Sequence, residues 1–300
     1  MMMTLENLVA TKSEKSTRIG WLFWYVIAEK PTDAAVTKAA FRSSGLPEMY
    51  RLPDIRPADA YRRATKSIEG RVELPGDDKV DLLVRDVFHN AHEVVRHLVV
   101  EFRNTQGRRL DYDTKAAMLR FDHDNRGIDV SSYSGEPFVT MAVNQFLSNY
   151  NLYLSTYDGA AKRRVARSVV LDLSGTALKE SGGVYLVPRD GEELLFQLVA
   201  FINGLPDCQA YKMPVEDTEE SRDMVRDLVT NKAEMLLSEI RAAMKANVVG
   251  DDNIQSLLEK AKRMKKEIVT YQNILRESIG TFETDVDLLE MQMLNLLDQL

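Results

Sequence analysis

Cysteine and histidine are scarce in this sequence, with one cysteine and four histidines among 300 residues. Cys208 alone cannot form an intrachain disulfide, and no zinc-type cluster of cysteine and histidine surrounds it. His92 and His97 are an odd number of positions apart, so on one strand they would point to opposite faces and could not share a metal. The sequence therefore predicts no metal site and no cofactor.

Two signatures of catalysis are also missing. Gly182 and Gly183 are not followed by the Lys-Ser/Thr pair of a phosphate-binding loop, and no G-x-S-x-G nucleophile elbow occurs. A non-enzymatic protein is favoured. Catalytic groups that come together only in three dimensions leave an enzyme open.

Long apolar runs and a positive net charge are absent as well. The best apolar run, IGWLFWYVIA at residues 19–28, is about half as long as a transmembrane helix requires. The opening MMMTLENLVATKSEKSTR lacks the pattern of a secretory signal, so the sequence predicts a cytoplasmic protein without membrane contact. The formal net charge of -7 disfavours general binding to nucleic acid, because that binding depends on Lys and Arg neutralising phosphates.

Two local basic clusters stand out against this acidic background. On a helix, each cluster makes a compact positive face. Three interpretations stay open: a solvated face held by salt bridges, contact with an acidic protein or the chain's own acidic arm, and contact with nucleic-acid phosphates. The first basic cluster is Arg56, Arg62, Arg63 and Lys66, and the second basic cluster is Lys162, Arg163, Arg164 and Arg167.

Residues 1–135 predict an N-terminal α+β region. The aromatic and β-branched run at 21–27 indicates a buried strand, and helices are expected between Asp33 and Gly45 and from Pro57. Residues 69–81 are rich in turn formers and indicate a connector. The alternation beyond it predicts an antiparallel β-meander, with strands at 80–88, 92–102 and 116–123 and a hairpin turn at 124–127.

Residues 136–216 predict a second α+β region. Helices at 160–173 and 192–205 alternate with short strands at 184–187 and 209–215. A further helix, from Pro137, carries an apolar stripe at three- and four-residue spacing. The stripe consists of Phe138, Met141, Leu147, Tyr150, Leu154 and Tyr157.

Residues 217–300 contain no strand signal and predict an all-helical arm. Helices are expected at 218–247 and 254–279, and 281–300 continues the same apolar spacing. The fold class is therefore α+β, with an antiparallel β-meander and small αβ units followed by a C-terminal helical hairpin or coiled-coil arm. The predicted seam of the second helix is Leu257, Ala261, Met264, Ile268, Tyr271 and Leu275.

The last part of the arm has more apolar surface than one neighbouring helix would cover. Leu288, Met291 and Leu297 lie beyond its narrow apolar stripe. The excess indicates oligomerisation or a protein partner docked through 218–300, although a helical hairpin can also bury its stripes internally. The interface candidates are Leu288, Met291, Met293, Leu297 and Leu300.

The segment FDHDN at 121–125 gathers Asp122, His123 and Asp124. Asp122 and Asp124 could hold a metal from one face if a further ligand came from elsewhere, which would suit a hydrolase or nuclease. A polar hairpin tip explains the same residues, so no metal site is assigned to them.

Four separated segments, GWLFWYVI, LPDIRPADAYRRATKS, SGGVYLVP and DTEESRDMV, together resemble the landmarks of a family of uncharacterised proteins from bacteriophages and bacteria, classed as a domain of unknown function. The resemblance covers about residues 19–230. It implies a phage or prokaryotic cytosolic origin and supplies no catalytic residues.

The sequence thus favours a non-enzymatic interaction protein whose arm mediates self-assembly or grips another protein complex. In the phage setting that the resemblance implies, this partner would be a host complex, including a defence system. The runner-up is a nucleic-acid-binding protein in which the two basic clusters converge on one face. A metal-dependent hydrolase at Asp122, His123 and Asp124 is the third interpretation.

Overall fold

The computed structural model describes residues 18–74, 79–103, 109–179, 183–245, 251–276 and 291. Within these ranges the chain is α+β, as the sequence predicts. The strands are β1 Arg18–Val26, β2 Thr32–Asp33, β3 Gly70–Glu73, β4 Lys79–His89, β5 Glu93–Arg103, β6 Arg109–Asp122, β7 Gly127–Ser132, β8 Thr156–Tyr157, β9 Thr176–Ala177, β10 Val184–Pro188 and β11 Gln209–Glu216. The α-helices are α1 Ala34–Ser44, α2 Pro57–Lys66, α3 Pro137–Ser155, α4 Gly159–Asp172, α5 Glu192–Asn203, α6 Glu219–Lys245 and α7 Asp251–Leu275.

The chain divides into two compact units, and both combine segments that are distant in sequence. Unit 1 contains residues 1–30, 36–51 and 159–300, and unit 2 contains 31–35 and 52–158. The three consecutive regions expected from the sequence, 1–135, 136–216 and 217–300, stay a prediction. None of the helices within the described ranges has the length and apolarity that crossing a membrane requires.

Unit 1 is built around a four-stranded antiparallel sheet in the order β11-β1-β10-β9. β1 lies inside this sheet, as its aromatic and β-branched run predicts: Leu22 is opposite Leu186 of β10 on one side and Met213 of β11 on the other. α5 packs on one face, where Phe196 meets the ring of Trp21 edge-on with centroids 5.2 Å apart.

α6 and α7 form an antiparallel helical hairpin that packs with the same sheet. Lys232 Nζ of α6 pairs with Glu267 Oε2 of α7 at 2.6 Å, and Glu239 Oε1 of α6 pairs with Lys260 Nζ of α7 at 2.5 Å. The later residue of α6 thus pairs with the earlier residue of α7, so the two helices run in opposite directions. Every residue of the predicted seam of α7 is buried, in a core that includes Ile19 of β1. The predicted hairpin is confirmed over Glu219–Lys245 and Asp251–Leu275.

Unit 2 contains a five-stranded antiparallel meander in the order β3-β4-β5-β6-β7. The predicted meander and the turn at 124–127 are confirmed. The connector predicted at 69–81 is partly wrong, because 70–73 forms β3 and Val72 lies opposite Val80 of β4. Val72 occupies an inward position of an alternating strand, which the surrounding turn formers obscured.

α2 and α3 pack on one face of this sheet around Tyr61, which is 2% exposed and donates a hydrogen bond to the carbonyl of Leu119 at 2.9 Å. The stripe predicted for α3 is partly wrong: Met141 is 71% exposed, and Tyr157 lies in β8. The buried positions follow the four-residue step that aligns side chains on one helix face. They are Phe138, Val139, Ala142, Phe146 and Tyr150.

Candidate functional site

An apolar surface remains open on the four-stranded sheet of unit 1. Val26 is 61% exposed, Met213 47% and Tyr211 45%, and the half-buried Trp24 stacks on Tyr211 with ring centroids 5.5 Å apart. We call these four residues the sheet patch. They come from two adjacent strands, so their apolar surfaces are contiguous.

The sheet patch lies on the face that carries the helical hairpin. Side chains alternate along a strand, so Leu22, Trp24 and Val26 share one face of β1. Leu22 packs against the core of α6 and α7, whereas Val26, further along β1, is exposed. The hairpin therefore covers one part of this face, and the sheet patch continues the face beyond it.

The edge of the sheet beside the patch is closed to strand addition at two positions. β11 is the edge strand of this sheet. The Asn203 side chain accepts a hydrogen bond from the Ala210 amide at 2.7 Å and donates one to the Ala210 carbonyl at 3.3 Å. Pro214, four residues on and facing the same side, has no N–H to donate. Pairing of a further strand with this backbone is therefore obstructed at both positions.

The predicted interface candidates of the arm fall mostly outside the described residues. Leu288, Met293, Leu297 and Leu300 cannot be placed, and the side chain of Met291 is 60% exposed. The sheet patch was not anticipated from the sequence, because the run at 21–27 predicts a buried strand, whereas Val26 is exposed and Trp24 and Tyr25 are half-buried.

The first basic cluster lies on α2 and beside it, in unit 2, and is largely neutralised. Arg56 and Arg62 share the carboxylate of Asp59, at 2.7 and 3.0 Å. Lys66 pairs with Glu69 at 2.5 Å. Arg63 pairs with Asp158 at 3.0 Å, and its guanidinium lies 4.2 Å from the ring centroid of Tyr153. The four cations of this cluster thus pair with three carboxylates, so the cluster has little net positive charge with which to bind phosphates.

The second basic cluster lies on α4, in unit 1, and its members differ. Lys162 is fully buried and donates to the carbonyl of Lys30 at 3.2 Å, and Arg163 pairs with Glu29 at 2.6 Å. Arg164 and Arg167 are exposed, and no described carboxylate lies within ion-pair distance of either. Among the eight residues of the two basic clusters, Arg164 and Arg167 are thus the exposed cations without a described carboxylate at ion-pair distance.

Two tyrosines lie close to the second basic cluster. Tyr25 and Tyr185 stack with centroids 6.3 Å apart and an interplanar angle of 6°. Burial raises the pKa of Tyr25 to about 12, the neighbouring Tyr185 adds to the rise, and the positive charges of Arg167 and Arg163 oppose it. The Tyr25 phenol is therefore neutral near pH 7, and the two stacked rings present flat aromatic surfaces beside a positive helix face.

The carboxylates at the β6–β7 turn are used to hold the turn. The Asp122 side chain accepts hydrogen bonds from the amides of Asp124 and Asn125, both at 2.9 Å, and the Asn125 amide lowers the pKa of Asp122 most. Asp124 pairs with His92 at 3.0 Å, and His123 packs edge-on against Phe121. Across the described part of the chain, no three Cys, His, Asp or Glu residues are grouped to hold a metal.

A family described as a family of unknown function, DUF6744, matches residues 18–300. No curated protein and no solved structure matches the chain. The matched region includes both units and all four segments on which the family resemblance was based. This chain belongs to the DUF6744 family.

Proposed function

We propose that this chain is a non-enzymatic interaction protein that assembles with a second copy of itself through the sheet patch. The observation that carries the proposal is the contiguous apolar surface of Trp24, Val26, Tyr211 and Met213. Single exposed apolar side chains are common on protein surfaces, but grouped ones rimmed by polar residues are typical of interaction sites.

The occupant we assign to the sheet patch is residues 281–300 of the second copy. The spacing of their apolar residues predicts a helix with a wide apolar face, and Met291 within them is 60% exposed. The obstructed edge of β11 disfavours an added strand and favours an occupant that supplies side chains. A helix placed there would extend the layer that α6 and α7 already form on this face.

Charged substitutions in the patch test this assignment. Val26→Glu with Met213→Glu should convert a self-associated protein to the 34.1 kDa monomer, because two carboxylates would be buried in the contact. Met291→Glu should act in the same way from the other side. Sedimentation equilibrium measures the mass, and circular dichroism checks that each variant is folded.

Met49→Glu is the matched control, since Met49 belongs to the same unit, is 77% exposed and lies outside the patch. Its mass should equal that of the unmodified chain. Retention of the assembled mass by the folded Val26→Glu, Met213→Glu variant would reject the sheet patch as the contact.

Nucleic-acid binding is the second candidate, now confined to Arg164, Arg167 and the stacked Tyr25 and Tyr185. Unpaired cations beside aromatic faces are the groups that bind single strands. This candidate predicts that a fluorescent oligothymidine binds at low salt, that the affinity falls steeply as salt rises, and that Arg164→Glu with Arg167→Glu abolishes it. Arg56→Glu, at a salt-bridged position, is the control, and an unchanged anisotropy at low salt would end this candidate.

A further inference from the structure

A groove lies on the open face of the five-stranded sheet of unit 2. It has a volume of about 450 Å³, and α2 and α3 pack on the opposite face of the sheet. Leu83, Val87 and Val99 line it together with polar side chains. The open face of an antiparallel sheet is ordinarily polar, so these apolar residues need another explanation. We call this feature the sheet groove.

Irregular pairing shapes the sheet groove. Leu98 of β5 pairs with Ala117 of β6, and Val100, two residues later, pairs with Asp113, which is four residues from Ala117. The extra residues in β6 bend the sheet, as bulges do. Val99, at the centre of this irregularity, is only 5% exposed although it lies on the open face, so the groove has an enclosed apolar floor.

One end of the sheet groove carries positive charge without a matching carboxylate. Arg85 and His97 are directly opposite each other on β4 and β5, and both line the groove. Within the described residues, no carboxylate lies within ion-pair distance of Arg85, and no hydrogen-bond partner engages the imidazole of His97. The nearby Glu69 carboxylate is engaged by Lys66 and by the amide of Val84.

Leu83 and Val99 are directly opposite each other on β4 and β5, two residues from Arg85 and His97 respectively. One two-residue step is about 7 Å, so the pair of Arg85 and His97 and the apolar floor lie within the length of one small molecule. The volume also falls in the range of small-molecule sites, which is about 300 to 1,000 Å³. Thr114 and Tyr112 contribute hydroxyl groups to the wall. The remaining lining residue, Glu101, is 4% exposed and lies two residues beyond Val99 on β5, at the end away from Arg85 and His97.

We propose that the sheet groove binds a small molecule that has an anionic group and an apolar body. Arg85 and His97 hold the anionic group, and Leu83, Val87 and Val99 contact the apolar body. This site is in unit 2 and does not depend on assembly through the sheet patch, so either proposal can fail alone.

Decanoate and decylammonium are suitable probes because they share an apolar chain and differ in the sign of the charged end. Calorimetric titration of the full chain should show decanoate binding about tenfold or more tighter than decylammonium. In a methyl-labelled sample, decanoate should shift the resonances of Leu83, Val87 and Val99. Equal affinities, or shifts confined to methyl groups outside the groove, would overturn the proposal.

Variants of Arg85 locate the anionic end. Arg85→Glu should weaken decanoate binding about tenfold or more, while Arg85→Lys, which keeps the charge but loses the paired donors of the guanidinium, should weaken it less. Arg126→Glu is the matched control: Arg126 is exposed in the same unit, and it lies outside the groove. Equal binding by the folded Arg85→Glu variant and the unmodified chain would contradict the assignment.

An anionic membrane surface offers the same chemistry as a free amphiphile. Co-sedimentation with vesicles that contain an anionic phospholipid separates the two sources. A groove that encloses one molecule predicts decanoate binding that persists without vesicles. Sedimentation with vesicles in the absence of any decanoate binding would overturn the proposal.

Discussion

At the scale of single residues, Gly20 shows how closely the strands of unit 1 approach. A Cβ atom at position 20 would lie 2.4 Å from the carbonyl oxygen of Val187. Gly20 is opposite Pro188 of β10, next to the register shift between Arg18 and Gly20 in the pairing with β11. The neighbouring atom is backbone, so it cannot move away as a flexible side chain would.

We expect Gly20→Ala to lower the free energy of unfolding by about 1–3 kcal/mol, the usual cost of an overpacked position. Gly135→Ala is the control, because nothing lies within 4 Å of its Cβ position, and it should change stability by less than about 0.5 kcal/mol. Urea denaturation measures both. Equal stabilities of the two variants would contradict the close approach.

Residue types in the two basic clusters were visible in the sequence, but their partners were not. Asp158 lies far along the chain from Arg63, and Glu29 far from Arg163, so tertiary structure decides which charges are neutralised. The salt-bridged interpretation fits the first basic cluster best. In the second basic cluster, Arg164 and Arg167 are exposed and have no described carboxylate at ion-pair distance. The spacing of basic residues along the sequence could not distinguish this cluster from the salt-bridged one.

At the scale of elements, the hairpin of α6 and α7 contains an ion pair whose carboxylate is buried. Glu267 is 6% exposed and receives both Lys232, at 2.6 Å, and a hydrogen bond from the Thr176 hydroxyl. Removal of Lys232 would leave a buried carboxylate without its cation. Because Lys232 is itself 42% exposed, we expect Lys232→Met to cost about 2 kcal/mol, below the full figure for a buried pair.

Denaturant unfolding of Lys232→Met measures that cost, with Lys260→Met as the control. Lys260 forms the more exposed pair with Glu239, so its loss should cost about 0.5 kcal/mol or less. A larger loss of stability in the control than in Lys232→Met would show that burial of Glu267 does not govern the hairpin.

The same carboxylate gives the hairpin a pH dependence. Burial raises the pKa of Glu267 and outweighs the opposing effect of Lys232, so the folded state keeps this proton at pH values where the unfolded state has lost it. The free energy of unfolding should therefore fall as pH rises above the ordinary glutamate value of 4.5. Glu267→Gln should remove this decline, and an unchanged slope in unfolding experiments across acidic to neutral pH would contradict the assignment.

Most elements were predictable because each has its own local signal. The apolar four- and three-residue steps of α7 and the alternation of β4 and β5 placed these elements almost correctly. β3 was missed because Val72 is its one partly buried apolar residue and turn formers surround it. The register of the stripe on α3 was misjudged at Met141, since apolar residues occur all round that helix.

At the scale of the whole molecule, the division into two units could not be read from the sequence. β1 pairs with β10 and β11, which lie more than a hundred residues further along, and no local pattern reports such pairing. The sheet patch has the same origin, because Trp24 and Tyr211 become neighbours only when β1 and β11 are brought together. The excess of apolar residues in 281–300 was visible in the sequence, whereas its proposed partner surface was not.

The central claim, assembly through the sheet patch, is tested most directly by the mass of the purified full chain in light scattering over a dilution series. We predict a mass that is a multiple of 34.1 kDa at high concentration and falls toward 34.1 kDa on dilution. A mass of 34.1 kDa at every concentration would contradict the account.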